Sequence, residues 1–189
     1  MSKKTKNTTP ITEIATPDYY ATEPKALELL LELEEFSENV WECACGGGHL
    51  CEVLKAHGHN VKASDLVNRG YPGTEAKSFF AFTQEDNDGR MDIITNPPAK
   101  TAKQFIQHAL NISAEGTKIA MFMRLQFLEG QSRKDLFETT PPKKVYVSSS
   151  RLLCAKNGQF NTNEDSSVAY AWFIWEKGYE GPTTIDWFN

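Results

Sequence analysis

The sequence predicts an α/β protein with a Rossmann-like, doubly wound and mostly parallel sheet of seven strands, in which one late strand is antiparallel. Short apolar runs alternate along the chain with amphipathic helical patterns, and three glycines join an early run to the helix that follows it. The 189 residues are enough to bury the core of one domain. We therefore expect a single domain over residues 15–189, after a disordered tail at 1–14 that is rich in Lys, Thr and Asn.

The first half of the chain alternates helix and strand. A helix begins at Pro24, a residue suited to a first turn, and its leucines recur at helical spacing up to Phe36. A short strand at 40–43 precedes the glycines, and a second helical pattern follows them. Further strands are predicted at 61–65 and at 91–95, the latter stopped by two prolines.

The second half continues this alternation. Residues 101–110 show a helical pattern, and residues 118–123 are almost wholly apolar, as a strand covered on both faces requires. Strands at 144–147 and 168–175 follow, and the aromatic residues of the last strand are predicted to belong to the core. The polar stretch 152–167 between them is predicted to be a long surface loop.

The composition argues against a membrane-spanning or secreted protein. No apolar run approaches the roughly 20 residues of a membrane span, and the polar N-terminal residues lack the apolar stretch of a signal peptide. We therefore expect a cytoplasmic protein. The formal net charge of −5 gives no support to a broad basic surface, since phosphate neutralisation supplies much of the affinity for nucleic acids.

Three cysteines and a histidine lie close together in the sequence, at Cys43, Cys45, Cys51 and His49, whereas Cys154 is distant. A structural zinc site would show a second, separated pair of ligands. The sequence has no such pair, so we expect reduced, buried thiols and no metal.

A glycine turn and two acidic residues predict a nucleoside pocket. Glu42 ends one strand before Gly46–Gly48, whose backbone can approach a ligand closely because no Cβ intervenes. Asp65 ends the next strand, where a carboxylate can accept hydrogen bonds from ribose hydroxyls. The turn is followed by His49-Leu50 and lacks the Gly-Lys-Ser/Thr of a phosphate-binding loop. It also lacks the third glycine of a dinucleotide fingerprint, which disfavours nicotinamide cofactors.

Asn96-Pro97-Pro98 directly follows an apolar strand and forms a stiff platform, because proline fixes φ and restricts the residue before it. The side-chain carbonyl of Asn96 and a neighbouring main-chain carbonyl could both accept hydrogen bonds from one planar exocyclic amine. Two acceptors held in this way would localise the lone pair of the nitrogen and make it nucleophilic towards a sulfonium methyl group.

Together, residues 42–48, Asp65 and residues 92–98 resemble class I methyltransferases that act on amino groups, especially the DNA adenine-N6 enzymes with their Asn-Pro-Pro-aromatic motif. The stretch 16–24 lies where the N-terminal cofactor-contacting segment of that family lies. Residues 126–130 and 171–179 are similar to small phage and prophage proteins of this group. The resemblance spans nearly the whole chain and implies S-adenosylmethionine as cofactor and DNA as partner.

The resemblance assigns two groups of residues. One group binds the cofactor, with Tyr20 and Thr22 at its methionine moiety, Asp65 at its ribose and a phenylalanine beside its adenine: Tyr20, Thr22, Glu42, Ala44, Gly46, Gly48, Asp65, Leu66, Phe79, Phe80 and Asn96. The other group holds the target amine: Asn96, Pro97, Pro98 and Ala99. Arg124, which follows an apolar strand, is a further candidate for the site.

Three features depart from the family pattern. Ala99 stands where the family has an aromatic that stacks on the flipped-out base, a contact that contributes about 1–3 kcal/mol per base. Around residues 78–80 no acid lies closer than Glu75 to meet the adenine of the cofactor. The chain after Pro98 is needed to complete the sheet, so sequence specificity would come from loops or from a partner.

Two other functions remain open at this stage. The same chemistry could act on glutamine in a protein or on an amine in RNA, since enzymes of both kinds share the Asn-Pro-Pro platform. The chain could also be a catalytically weak or inactive protein that binds S-adenosylmethionine, which Ala99 favours.

Overall fold

The computed structural model describes residues 19–87, 90–160 and 167–189, so the predicted tail at 1–14 lies outside the described residues. The strands are β1 (Tyr20–Thr22), β2 (Asn39–Glu42), β3 (Asn60–Asp65), β4 (Glu75–Ala76), β5 (Asp92–Thr95), β6 (Lys118–Arg124), β7 (Lys144–Ser148), β8 (Cys154–Lys156), β9 (Tyr170–Glu176) and β10 (Thr184–Phe188). The α-helices are α1 (Pro24–Leu31), α2 (His49–Ala56), α3 (Ala102–Ile112) and α4 (Lys134–Thr139).

Eight of the described strands form the main sheet, in the order β10-β7-β9-β6-β5-β2-β3-β4. β9 is antiparallel to both of its neighbours, and the other pairs are parallel. The α/β class, the mostly parallel sheet and the antiparallel late strand are therefore confirmed. The predicted number of strands was one too low among the described residues.

β4 and β10 have no counterpart among the strands that were predicted by residue range, and β10 lies at the edge of the sheet. Four of its five residues are exposed, so its sequence lacks the apolar pattern that marks a buried strand. Its main chain nevertheless pairs in parallel with β7, from Thr184 beside Lys144 to Phe188 beside Ser148.

The predicted loop at 152–167 is wrong in its first part. Leu152 and Ala155 are buried, and β8 pairs antiparallel with β1, with Thr22 opposite Cys154. The main chain extends this pairing, since the amide of Glu23 donates to the carbonyl of Leu153. The pairing satisfies the backbone groups of β1, which stands outside the main sheet. Residues 161–166 of the predicted loop lie outside the described residues.

Helix α1 begins at Pro24 as predicted but ends at Leu31, before the predicted end at Phe36. Its apolar side buries Ala26, Leu27 and Leu30. The chain then leaves the helix, and the carboxylate of Glu34 pairs with the ammonium group of Lys118 at 2.9 Å.

Apolar side chains cover both faces of the sheet, in two large clusters. β6 lies between β5 and β9 and is buried from Ile119 to Met123, which explains why these five residues are all apolar. Trp172, Phe173 and Trp175 are also buried, so the prediction that they belong to the core is confirmed. Among the described helices, none combines the length and the apolar character that a membrane span requires.

Candidate active site

The glycine turn lies between the end of β2 and the start of α2, at the carboxyl end of the sheet. Gly46 and Gly48 adopt left-handed φ angles of 53° and 84°. A Cβ at Gly46 would lie 2.7 Å from the Tyr19 ring, and one at Gly48 would lie 2.0 Å from the Tyr71 ring. Both positions therefore require glycine, for the backbone conformation and for the close approach of a tyrosine ring.

Asp65 fixes this turn from the end of β3. One of its carboxylate oxygens accepts a hydrogen bond from the amide of Gly46 at 2.9 Å, and the other accepts one from the amide of Val67 at 2.9 Å. A carboxylate has about four acceptor positions, so these two bonds leave capacity for a hydroxyl group. Asp65 thus connects the two strand ends that border the predicted nucleoside pocket.

Glu42, the last residue of β2, is a buried carboxyl group. Its Oε1 accepts a hydrogen bond from the amide of Ala44 at 3.0 Å. Burial raises the pKa of Glu42 to about 8, although its hydrogen bonds act in the opposite direction. The side chain is therefore largely protonated at neutral pH, and a cationic or hydrogen-bond-donating ligand nearby would favour its ionised form.

These elements surround a small cavity of about 20 Å³, which has room for about one water molecule. Its lining includes six of the residues predicted from the sequence: Tyr20, Thr22, Glu42, Ala44, Gly46 and Asn96. The structure thus places residues from β1, the glycine turn and the Asn-Pro-Pro segment around one space. Cofactor pockets measure roughly 300–1,000 Å³, so a larger ligand would have to widen this space.

Tyr19, which the sequence analysis did not select, closes the cavity. Its ring lies against Gly46, and its hydroxyl would lie 2.7 Å from a Cβ at Gly47. The guanidinium of Arg69 lies over the Tyr19 ring, 4.5 Å from its centre. The main chain of Tyr19 is held as well, since the amide of Asn157 donates to its carbonyl at 2.8 Å. A ligand seated on the glycine turn would have to displace the ring of Tyr19.

Asn96 follows β5 and points its amide nitrogen towards β1. The nitrogen donates to the hydroxyl of Thr22 at 2.9 Å and to the main-chain carbonyl of Tyr20 at 3.3 Å. Because a carbonyl oxygen can only accept, the orientation of the Asn96 amide is fixed. The Oδ1 atom must therefore point away from the Tyr20 carbonyl and is available as an acceptor.

The two prolines differ in their surroundings. Pro97 is buried, whereas Pro98 is exposed. The Pro98 carbonyl accepts a hydrogen bond from the amide of Thr101 at 2.9 Å, which begins the turn into α3. Ala99 is exposed within this turn. The segment is therefore held at both ends, by β5 and by α3, as the predicted stiff platform requires.

Five predicted cofactor contacts lie outside the cavity lining: Gly48, Asp65, Leu66, Phe79 and Phe80. Phe79 is buried in the core, where its ring stacks on Phe105 at 4.9 Å between centroids. Leu66 and Phe80 are exposed, with 68% and 45% of their surface accessible. Both follow neighbouring strands, β3 and β4, at the carboxyl end of the sheet.

Cys154 is a neighbour of Asn96 that the sequence analysis assigned to a loop. Its sulfur lies 3.6 Å from the Asn96 amide nitrogen, and burial raises the pKa of its thiol to about 11. The Cys154 thiol is therefore a neutral contact in the two-stranded sheet of β1 and β8.

Cys43, Cys45 and Cys51 are buried free thiols, as predicted. Cys154 lies beside Asn96 because β8 pairs with β1. The sequence carries no clear signal for that pairing, so the position of Cys154 could not be predicted from it.

No protein-family model and no curated protein matches the sequence. The fold is similar to that of several solved structures. One is a protein from Listeria monocytogenes described as a class I S-adenosylmethionine-dependent methyltransferase, with 13% identity, a TM-score of 0.51, and coverage of 86% of this chain and 62% of the other.

Two further structures give comparable matches. An S-adenosylmethionine-dependent O-methyltransferase from Thermotoga maritima is 14% identical to this chain and matches it with a TM-score of 0.51, with coverage of 84% of this chain and 66% of the other. The type IIG restriction endonuclease BpuSI has 14% identity and a TM-score of 0.56, with coverage of 82% of this chain and 25% of the other. The chain thus spans less than two thirds of the length of these three proteins. Its fold is the one found in class I S-adenosylmethionine-dependent methyltransferases.

Proposed function

We propose that the protein is an S-adenosylmethionine-dependent methyltransferase that transfers a methyl group to an exocyclic amino group, with adenine N6 of DNA as the acceptor. The observation that carries this proposal is the fixed amide of Asn96 beside a cavity that Glu42 and Gly46 also line. This arrangement supports the proposal, because the Asn96 amide could hold an amine next to strand ends of the kind that bind nucleoside cofactors in such sheets.

Glu42 and Gly46, which line the cavity, and Asp65, which bonds to Gly46 from outside the lining, fit the proposed cofactor chemically. Asp65 retains acceptor capacity for a ribose hydroxyl, and the three glycines of the turn bring no side chains of their own. The buried Glu42 can ionise beside a cationic group. When bound, S-adenosylmethionine supplies a methyl group on a positively charged sulfur. Admission of the cofactor requires the Tyr19 ring to leave Gly46.

The acceptor would be held by Asn96 and by the main chain of the Asn-Pro-Pro segment. With its nitrogen occupied by β1, the Asn96 side chain offers Oδ1 to an N–H of the acceptor. The Pro98 carbonyl is engaged by Thr101, so the Pro97 carbonyl is the neighbouring main-chain acceptor that we assign to the second N–H. Two acceptors of this kind would increase the nucleophilicity of the amine without a strong base.

DNA as the partner rests on the resemblance of residues 92–98 to adenine-N6 enzymes, and the similarity of the fold to BpuSI is consistent with it. The net charge of −5 gives no support to a broad basic surface for the DNA backbone. We therefore expect a single base taken into the site to contribute more to binding than the backbone does.

The test is methyl transfer from labelled S-adenosylmethionine to separate pools of DNA, RNA and protein. We expect label in DNA, recovered as N6-methyladenine after hydrolysis. Asn96→Ala should lower the rate on the order of 100-fold, as the loss of one preorganised hydrogen-bonding group does elsewhere. Asn111→Ala, which removes an exposed asparagine of α3, is the matched control and should keep the rate.

Other outcomes would contradict the proposal in different ways. Label confined to protein or RNA would refute DNA as the acceptor. Tight cofactor binding without any labelled product would indicate a binding protein rather than an enzyme. Thermal unfolding of Asn96→Ala separates a loss of chemistry from a loosening of β1, because the variant also removes the bond to Thr22.

A further inference from the structure

We infer that Tyr20 in β1 supplies the aromatic face on which the acceptor stacks, in place of the aromatic that residue 99 lacks, and that the acceptor is a base of single-stranded DNA. This inference rests on the proposed function and extends it, since it assigns the ring of Tyr20 to the acceptor rather than to the cofactor. Its support comes from the position of β1 between the glycine turn and Asn96.

The direction of the Tyr20 side chain follows from strand geometry. Side chains alternate along a strand, so Tyr20 and Thr22 share one face of β1. The Thr22 hydroxyl accepts a hydrogen bond from the Asn96 amide at 2.9 Å, which identifies that face as the one towards Asn96. Cys154 is paired with Thr22 and also contacts Asn96, which supports the same orientation.

Tyr20 is also tied to Asn96 through its own main chain. Its carbonyl accepts a hydrogen bond from the Asn96 nitrogen at 3.3 Å. This bond fixes the position of Tyr20 relative to the amine-binding amide. The proposed acceptor would thus meet the Asn96 oxygen and the Tyr20 ring as parts of one hydrogen-bonded unit.

Exposure distinguishes Tyr20 from the aromatic residues around it. Its side chain is 54% exposed. The Tyr19 ring is covered by Gly46 and by Arg69, and the Tyr170 ring stacks on Phe122 at 5.1 Å. Of these three tyrosines beside the site, Tyr20 therefore presents the most accessible ring, whereas Ala99 offers only a methyl group.

The chemistry of the acceptor follows from this ring. An aromatic face adds about 1–3 kcal/mol for each stacked base, and it accepts any base because every base has a π face. An aliphatic amide such as that of glutamine has no comparable ring to stack. A base reaches such a site only when it is unpaired or flipped out, so single-stranded DNA is the most direct substrate.

The experiment measures binding of a single-stranded oligodeoxynucleotide that carries one 2-aminopurine, in the presence of saturating S-adenosylhomocysteine. Stacking on an aromatic ring quenches the fluorescence of this base. For the wild type we expect binding with quenching. Tyr20→Ala should weaken binding roughly 5- to 150-fold and abolish the quenching, whereas Tyr20→Phe, which keeps the ring, should behave like the wild type.

Two further variants make the comparison specific. Tyr20→Leu keeps an apolar side chain of similar bulk but removes the π face, so it should lose the quenching even if β1 stays intact. Trp187→Ala removes another exposed aromatic, 64% accessible, from β10 at the edge of the main sheet, and it should leave binding and quenching unchanged.

The result that would overturn the inference is unchanged quenching and affinity in both Tyr20→Ala and Tyr20→Leu. Failure of the wild type to bind the oligonucleotide while it still binds S-adenosylmethionine would overturn it as well, because the acceptor would then be of another class. Failure of the wild type to bind S-adenosylmethionine in a separate titration would instead refute the proposed function itself.

Discussion

Replacing Glu42 by Gln should remove a pH dependence of stability that the buried carboxyl group imposes. The pKa of Glu42 rises from an ordinary value of 4.5 to about 8 in the folded protein. At 1.36 kcal/mol per pKa unit, the full effect is roughly 5 kcal/mol. Because the folded pKa is raised, the unfolded chain loses its proton first. The stability contributed by the protonated group is complete below about pH 4.5, falls as the pH rises towards 8, and reaches its minimum above 8.

The assay is urea unfolding of the wild type and Glu42→Gln at pH 5, 7 and 9. Gln is neutral throughout, so we expect similar stabilities at pH 5 and an advantage for Glu42→Gln that grows to several kcal/mol at pH 9. Glu75→Gln, at an exposed position in β4, is the matched control and should show no such growth. Parallel pH profiles for the wild type and Glu42→Gln would refute the reasoning.

Two further predictions concern the glycine turn and the acceptor. Gly48→Ala should destabilise the protein more than Gly70→Ala in urea unfolding: both place a Cβ at positive φ, which costs about 1–2 kcal/mol, but only the first would meet the buried Tyr71 ring. Equal losses would show that the ring yields freely. Ala99→Tyr, introduced together with Tyr20→Ala, should recover part of the oligonucleotide binding that the single Tyr20 variant loses. No recovery would show that the two positions are not equivalent.

The sequence correctly predicted the strands whose apolar residues are buried in the structure. β6 is apolar from Ile119 to Met123 because these residues are enclosed between β5 and β9 and under the core clusters, and the aromatic run of β9 lies in the core. The short strands β1, β4 and β8 and the edge strand β10 were not predicted. β10 has four exposed residues, and β8 is a three-residue strand whose partner β1 lies more than 130 residues earlier in the chain.

The site was predicted unevenly for similar reasons. Glu42, Gly46 and Asn96 follow strands directly, and topology alone brings such positions to one edge of the sheet. Phe79 and Phe80 are adjacent aromatics that no pattern distinguishes, yet one is buried in the core and the other is exposed.

Tyr19 and Tyr20 show the same limit at the cavity. The two consecutive tyrosines take different positions, because Tyr20 is the first residue of β1 and Tyr19 precedes the strand. Tyr19 lies on the glycine turn, whereas Tyr20 shares the face of Thr22 that contacts Asn96. The sequence alone gives no signal for this division.

The central claim is that the glycine turn and the two acidic strand ends hold S-adenosylmethionine next to Asn96. Calorimetric titration of the folded protein with S-adenosylmethionine tests it most directly. We expect one cofactor bound per chain in the wild type, and no binding in Gly46→Asp, where the added side chain would occupy the place on the turn that the Tyr19 ring must leave for the cofactor. Absence of binding heat in the wild type, together with an unfolding temperature that saturating S-adenosylmethionine does not raise, would contradict the claim.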